Sequence, residues 1–139
     1  MGRSPGGRVH GQIRNKSVSD GPEERVRQAI LTFLIDKKGV PKGLISVESG
    51  VRGAEKKYRS DILVHDRTGA PWMLIECKAP GIRLNQSGFD QMGKYNRYIK
   101  APYMVLSNGT DHYCCVVDRM AGTFSYLETL PDYPTAVRK

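Results

Sequence analysis

Apolar residues recur along this chain with two different periods, and the period changes where Gly, Pro, Asn and Asp cluster. From Val26, apolar positions at Ile30, Phe33 and Leu34 follow the i, i+4, i+7, i+8 spacing of one helix face. The spacing predicts a helix to about Asp36. Its start is Ser19-Asp20-Gly21-Pro22-Glu23, where Asp20 can cap and Glu23 stands three residues later as in a capping box. Lys37, Lys38 and Gly39 have the chemistry of a helix end. Residues 41–45 read as a loop with room for a helical turn, and 45–51 as a first strand. Residues 61–65 and 72–77 are the clearest strands. Asp66-Arg67-Thr68-Gly69 between them suits an antiparallel hairpin. Pro80-Gly81 breaks the chain. Phe89, Met92, Tyr95 and Ile99 then mark one side of a second helix over 87–99. Strands follow at 103–106, 112–117 and 123–127, separated by turns at 107–110 and 118–122.

Helix, strands, helix, more strands: this order predicts an α/β fold, a sheet flanked by helices. The hairpin makes the sheet mixed rather than purely parallel. At 139 residues the chain suits one domain with a real core. Its composition, 39% hydrophobic and 26% charged, is that of a globular chain. The expected division is a disordered basic arm over 1–18, a folded domain over 19–130 and a loose tail over 131–139. No apolar run is long enough to span a membrane and no secretory signal is visible. Three cysteines, two of them adjacent, make a poor disulfide framework and suit reduced thiols in the cytoplasm.

Charge narrows the class of partner. There are 22 Lys and Arg against 14 Asp and Glu, net +8, which points to a polyanion such as nucleic acid. Part of the excess belongs to the Gly-rich arm, at Arg3, Arg8, Arg14 and Lys16. The rest gathers near acids: Arg52, Lys56, Lys57 and Arg59 precede Asp61, and Arg83, Lys94, Arg97 and Lys100 follow Lys78.

The candidate chemistry lies at the hairpin ends. Asp61 opens one apolar strand, and Glu76 and Lys78 close the next. Alternation puts Glu76 and Lys78 on the same strand face. Trp72-Met73-Leu74-Ile75 ahead of them is apolar on both faces, so the strand is expected to be buried, where charges need a partner or a metal. Two carboxylates and a lysine converging there suit a hard cation such as Mg²⁺, with Asp61, Glu76 and the Cys77 carbonyl offering oxygens. Lys78 then stands ready to position the attacking water of a phosphodiester hydrolysis. The Cys77 side chain points away, into the core. The plain alternative is an edge-strand ion pair and a turn cap. Glu23, at the edge of the apolar face of the first helix, is placed to face inward as a further ligand or metal orienter, with Glu24 pointing away; capping is its alternative role. His112, Cys114 and Cys115 lack a fourth zinc ligand and read as strand residues. Asn108-Gly109 reads as a turn.

These residues resemble a known family. Ser60-Asp61, the 15-residue interval to Glu76, and Glu76-Cys77-Lys78 look like the PD-(D/E)XK nuclease core of the restriction-endonuclease-like fold. More narrowly, Pro22-Glu23-Glu24-Arg25-Val26-Arg27-Gln28, Arg59-Ser60-Asp61-Ile62-Leu63-Val64 and Ile75-Glu76-Cys77-Lys78-Ala79-Pro80 resemble the N-terminal nuclease domain of type I restriction enzyme R subunits. Gln91-Met92-Gly93-Lys94-Tyr95 matches that group's Gln-x-x-x-Tyr element. The resemblance spans about residues 20–130. It implies a DNA endonuclease that needs Mg²⁺, with Mn²⁺ able to substitute. Asp61, Glu76 and Lys78 would form its core, with Glu23 on the first helix. Gln91, Tyr95, Arg59 and Lys57 would lie near or on the DNA, and other restriction-modification subunits are implied as partners. The proline of the motif is Ser60 here. No Gly-x-x-x-x-Gly-Lys-Ser/Thr motif is present, so the resemblance covers the nuclease domain and not the family's motor. The rival readings are a catalytically silent nuclease-fold module that binds nucleic acid or a protein partner, and a repair or junction nuclease on the same fold.

Overall fold

A computed structural model describes residues 8–10, 17–19, 21–47 and 62–134. Its elements in chain order are β1 (Arg8–His10), β2 (Ser17–Ser19), α1 (Pro22–Asp36), a 3₁₀ turn (Lys42–Leu44), β3 (Ile45–Val47), β4 (Ile62–His65), β5 (Pro71–Cys77), α2 (Gln86–Ile99), β6 (Tyr103–Ser107), β7 (His112–Asp118) and β8 (Thr123–Leu127). The last six strands form one sheet in the order β3-β4-β5-β6-β7-β8. β5 and β6 run parallel, joined through α2, and every other neighbouring pair is antiparallel. This is the expected α/β fold: a mixed sheet flanked by helices, consistent with a restriction-endonuclease-like domain. No helix among the described residues is long and apolar enough to cross a membrane.

Each sheet face carries its own core. Val26, Leu31 and Leu34 of α1 pack on Ile62, Val64, Met73, Ile75, Cys77, Val105 and Cys114. Phe89 and Met92 of α2 pack on Leu74, Met104, Leu106 and Cys115 from the other side. Residues 73–77 thus alternate faces as a strand must, with Met73, Ile75 and Cys77 toward α1 and Leu74 toward α2. β5 is sandwiched, which is why its sequence is apolar on both faces.

Trp72 departs from the alternation. The register runs Val64↔Met73 and then His65↔Pro71, which leaves Trp72 as the extra residue of a β-bulge. The bulge lets Trp72 and Met73 join the same core. Trp72 meets the edges of Tyr103 and Tyr133 at ring-centroid distances of 5.4 and 5.1 Å.

Several local expectations need correction. The α1 N-cap is Gly21, with no side-chain cap, and Pro22 takes the first turn, so Glu23 is not at the capping-box position. The buried face of α1 is Glu24, Arg27, Leu31 and Leu34, joined by Val26, while Phe33 is exposed. The helix is rotated from the face that Phe33 suggested, because one turn and the next share a face at i, i+3 and i+4. Toward the C-terminus, residues 131–134 are docked rather than loose. Tyr133 is buried and donates its hydroxyl to the His65 carbonyl at 2.6 Å, and Arg67 Nε donates to the Pro134 carbonyl at 3.0 Å. Near the N-terminus, β1 and β2 pair antiparallel through Val9↔Val18, where an arm without secondary structure was expected.

α2 has well-formed ends. Asn85 caps its start, its side-chain oxygen accepting from the Gly88 N–H at 3.1 Å. At its end, the buried Asn96 side chain both accepts from the Ala101 N–H and donates to the Ala101 carbonyl, each at 2.9 Å. These bonds hold the turn from helix into β6 and so set where β6 meets β5.

Candidate active site

Glu76 and Lys78 sit at the C-terminal ends of the parallel strands, where α/β sheets tend to bind their ligands. Glu76 lies between Ile75 and Cys77, which both face α1, so it faces α2, and Lys78 follows it there. Lys78 Nζ is 2.9 Å from Glu76 Oε2, and the two side chains are 35% and 23% exposed. The pair is neither sealed nor loose: water and a substrate can reach it, yet its backbone belongs to the buried centre of the sheet. The expectation that these two residues share one face and one location holds.

That strand end is braced from three sides. The Lys78 N–H donates to the Ser107 carbonyl at 2.7 Å, extending the β5–β6 ladder past Glu76↔Leu106 and Cys77↔Ser107. The buried Ser107 hydroxyl accepts from the Gly109 N–H at 3.0 Å and lies 2.7 Å from His112 Nδ1. Asn108 closes the turn with its side-chain oxygen, which accepts from the Thr110 and Asp111 N–H groups at 2.9 and 2.7 Å. Its Nδ2 donates to the Ile82 carbonyl at 2.8 Å. Gly109 has φ +92°, and a Cβ there would lie 3.1 Å from the Val26 side chain of α1. Ser107-Asn108-Gly109 therefore ties together the strand carrying Lys78, the loop after it and the start of α1. Sequence reasoning read this stretch as a turn and missed its bracing role. The signal was there: Asn-Gly directly after a strand that neighbours the Glu-x-Lys strand.

The remaining candidates fall in different places. Asp61, Arg59 and Lys57 lie outside the described residues. Glu23 is half-buried in the first turn of α1. The expectation that Glu24 points away is overturned: Glu24 is buried, 3.1 Å from Arg27 Nη1, and its Oε2 accepts from Gln28 Nε2 at 2.9 Å. Glu24, Arg27, Gln28 and Leu31 share the inner face of α1 by i, i+3, i+4 and i+7 spacing, one position out of phase with the stripe read from Phe33. Gln91 is exposed on α2, while Tyr95, one turn on, is half-buried against the α2-side core.

The donors here are oxygen-rich and suit a hard divalent cation: the Glu76 carboxylate and the backbone at Cys77. The Cys77 side chain is fully buried toward α1, as expected, and takes no part. Among the described residues no three His, Cys, Asp or Glu side chains gather as a metal-binding group. Cys114 and Cys115 face opposite cores, and burial pushes their thiols up to about 11 and about 12. His112 is engaged with Ser107, and the strand-residue reading of all three stands.

A family model described as type I restriction enzyme R protein N terminus (HSDR_N) matches residues 22–131. That match runs from the first residue of α1 to just beyond β8 and includes Glu76, Lys78 and their braces. No curated protein matches the chain.

Proposed function

This chain belongs to the type I restriction enzyme R protein N-terminal family, and from that premise we propose that it is a Mg²⁺-dependent DNA endonuclease domain whose catalytic centre is Asp61, Glu76 and Lys78. The observation that carries the proposal is the half-exposed Glu76–Lys78 pair at the end of a buried strand. A structural ion pair has no need of a sandwiched central strand, where desolvation works against charge. A catalytic pair has such a need, because the strand ladder fixes both groups.

Asp61 is the next candidate by position. Ile62, the residue after Asp61 in the sequence, pairs with Ile75, the residue before Glu76. Leu63, two residues from Asp61, packs on the α2 side, the side to which Glu76 points. The proposed cation is held by Asp61, Glu76 and the Cys77 carbonyl, and Mn²⁺ should replace Mg²⁺. Bound there, the ion supplies charge neutralisation on the scissile phosphate and lowers the pKa of water. Lys78 Nζ orients the attacking water or a phosphate oxygen. Glu76 keeps Lys78 in place until substrate arrives. Gln91, Tyr95, Arg59 and Lys57 are proposed to line the DNA path.

The test is nicking of supercoiled plasmid by the purified protein with Mg²⁺ or Mn²⁺, against an EDTA control. Metal-dependent nicking that disappears in Glu76→Gln is the expected result. A protein that retains DNA but never nicks with either metal refutes the catalytic reading and favours the silent binding module.

A further inference from the structure

A second feature of the α2 face is a groove of about 640 Å³ between α2 and the β7–β8 turn. Its rims are cationic. Lys94 and Arg97 project from α2, Lys100 from its C-cap and Arg119 from the turn opposite, all exposed. Among the described residues none of these four is in an ion pair with a carboxylate. Two acids also line the groove, and both are engaged. Asp118 accepts from the Met120 and Ala121 N–H groups at 3.1 Å each, and Asp90 accepts from Gln86 Nε2 at 3.1 Å. The floor is apolar, from Met104, Val117 and Phe124. Gly93 deepens it: a Cβ there would meet nothing within 4 Å.

We propose that this groove is a phosphate-backbone track that anchors a nucleic acid on the sheet face that also carries the Glu76–Lys78 site. Four cations facing one another across a channel outnumber its two carboxylates, and the net positive charge is complementary to a polyanion. A single small anion would need a convergent nest of donors, whereas these charges are spread along a rim. The groove opens on the same sheet face as the candidate site, with the packed core under α2 between them. Met104 on its floor pairs with Leu74, two residues before Glu76, which is about 7 Å along the strand and on the same sheet face. The inference takes the identity of the polyanion from the proposed function, but it concerns binding and not the chemical step.

The experiment measures duplex DNA affinity without divalent metal over a range of salt concentrations. Wild type is compared with the double variant Arg97→Gln/Arg119→Gln. A control pair, Lys37→Gln/Lys42→Gln, removes the same charge from exposed positions away from the groove. Each lost phosphate contact flattens the plot of log K against log salt by about 0.9. The groove variant should therefore lose about 2 units of slope and the control pair almost none. Equal losses in both pairs, no loss in the groove variant, or no DNA binding by wild type overturns the proposal.

A second measurement needs no variant. DNA should protect Lys94 and Lys100 from acetylation in the intact protein while Lys37 and Lys42 stay reactive; unprotected groove lysines refute the track. The two hypotheses fail separately. A wild type with groove-dependent binding that never nicks loses the catalytic reading alone. One that nicks, with a groove variant of unchanged slope, loses the track alone.

Discussion

Replacing Lys78 by alanine distinguishes an ion pair that only closes a strand from one that works on a substrate. Lys78 Nζ is 2.9 Å from Glu76 Oε2, and the side chains are 35% and 23% exposed. A pair this open to water contributes about 1 kcal/mol or less. Glu76 keeps access to solvent when Lys78 is gone, so the 3–5 kcal/mol penalty of a stranded buried charge, roughly the range for sealed pairs, does not apply. For a domain of this size a loss of about 1 kcal/mol lowers Tm by about 4 °C. The chemical step behaves differently. Removing a cation aimed at the reacting phosphate costs about 10²-fold or more in rate, equivalent to about 2.7 kcal/mol. The expected outcome of Lys78→Ala is thus a small fall in Tm beside a large fall in plasmid nicking at 25 °C, with metal-free DNA retention nearly unchanged. Retention survives because affinity is shared among many phosphate contacts. Nicking at the wild-type rate would refute the reasoning. So would a rate loss that merely follows a large drop in Tm, since that marks the pair as structural.

Asp61→Asn should also stop nicking, yet leave metal-free DNA retention equal or tighter, because it removes a negative charge from the path of the phosphates; weaker retention in a filter-binding assay would count against its proposed place. Asn96→Ala should destabilise the domain by about 2–3 kcal/mol in urea unfolding, since it deletes two buried hydrogen bonds and strands both the N–H and the carbonyl of Ala101. A change under 1 kcal/mol, roughly one ordinary hydrogen bond, would contradict that role. Cys114 and Cys115, pushed up to about 11 and about 12 by burial, hold about 10⁻³ or less of their thiol as thiolate at pH 8. Native protein should resist iodoacetamide at that pH while urea-unfolded protein reacts at all three cysteines; rapid labelling of the native chain would show the strands open.

What the sequence determined by itself is whatever depends on neighbours a few residues apart. The strands at β4 to β8, the helix α2 and the shared face of Glu76 and Lys78 follow from period and alternation, which the backbone imposes without reference to the rest of the fold. The chemistry at the strand end was legible for the same reason: a Glu-x-Lys after a run apolar on both faces places charge at the edge of a buried strand. Tertiary structure decided what depends on the opposing surface. Val26, Leu31 and Phe33 all offer apolar area, but the sheet accepts Val26 and Leu31 and leaves Phe33 exposed, and that phase carries Glu24 inward. Trp72 faces α1 because a bulge turns it there to meet Tyr103 and Tyr133, and Tyr133 is remote in sequence. Docking of 131–134 likewise depends on His65 and Arg67, which local composition cannot reveal. The brace at Ser107-Asn108-Gly109 belongs to the same class. Its Asn-Gly pair encodes a turn, and only the packing of α1 and the Ile82 loop against that turn makes it the support of the candidate site.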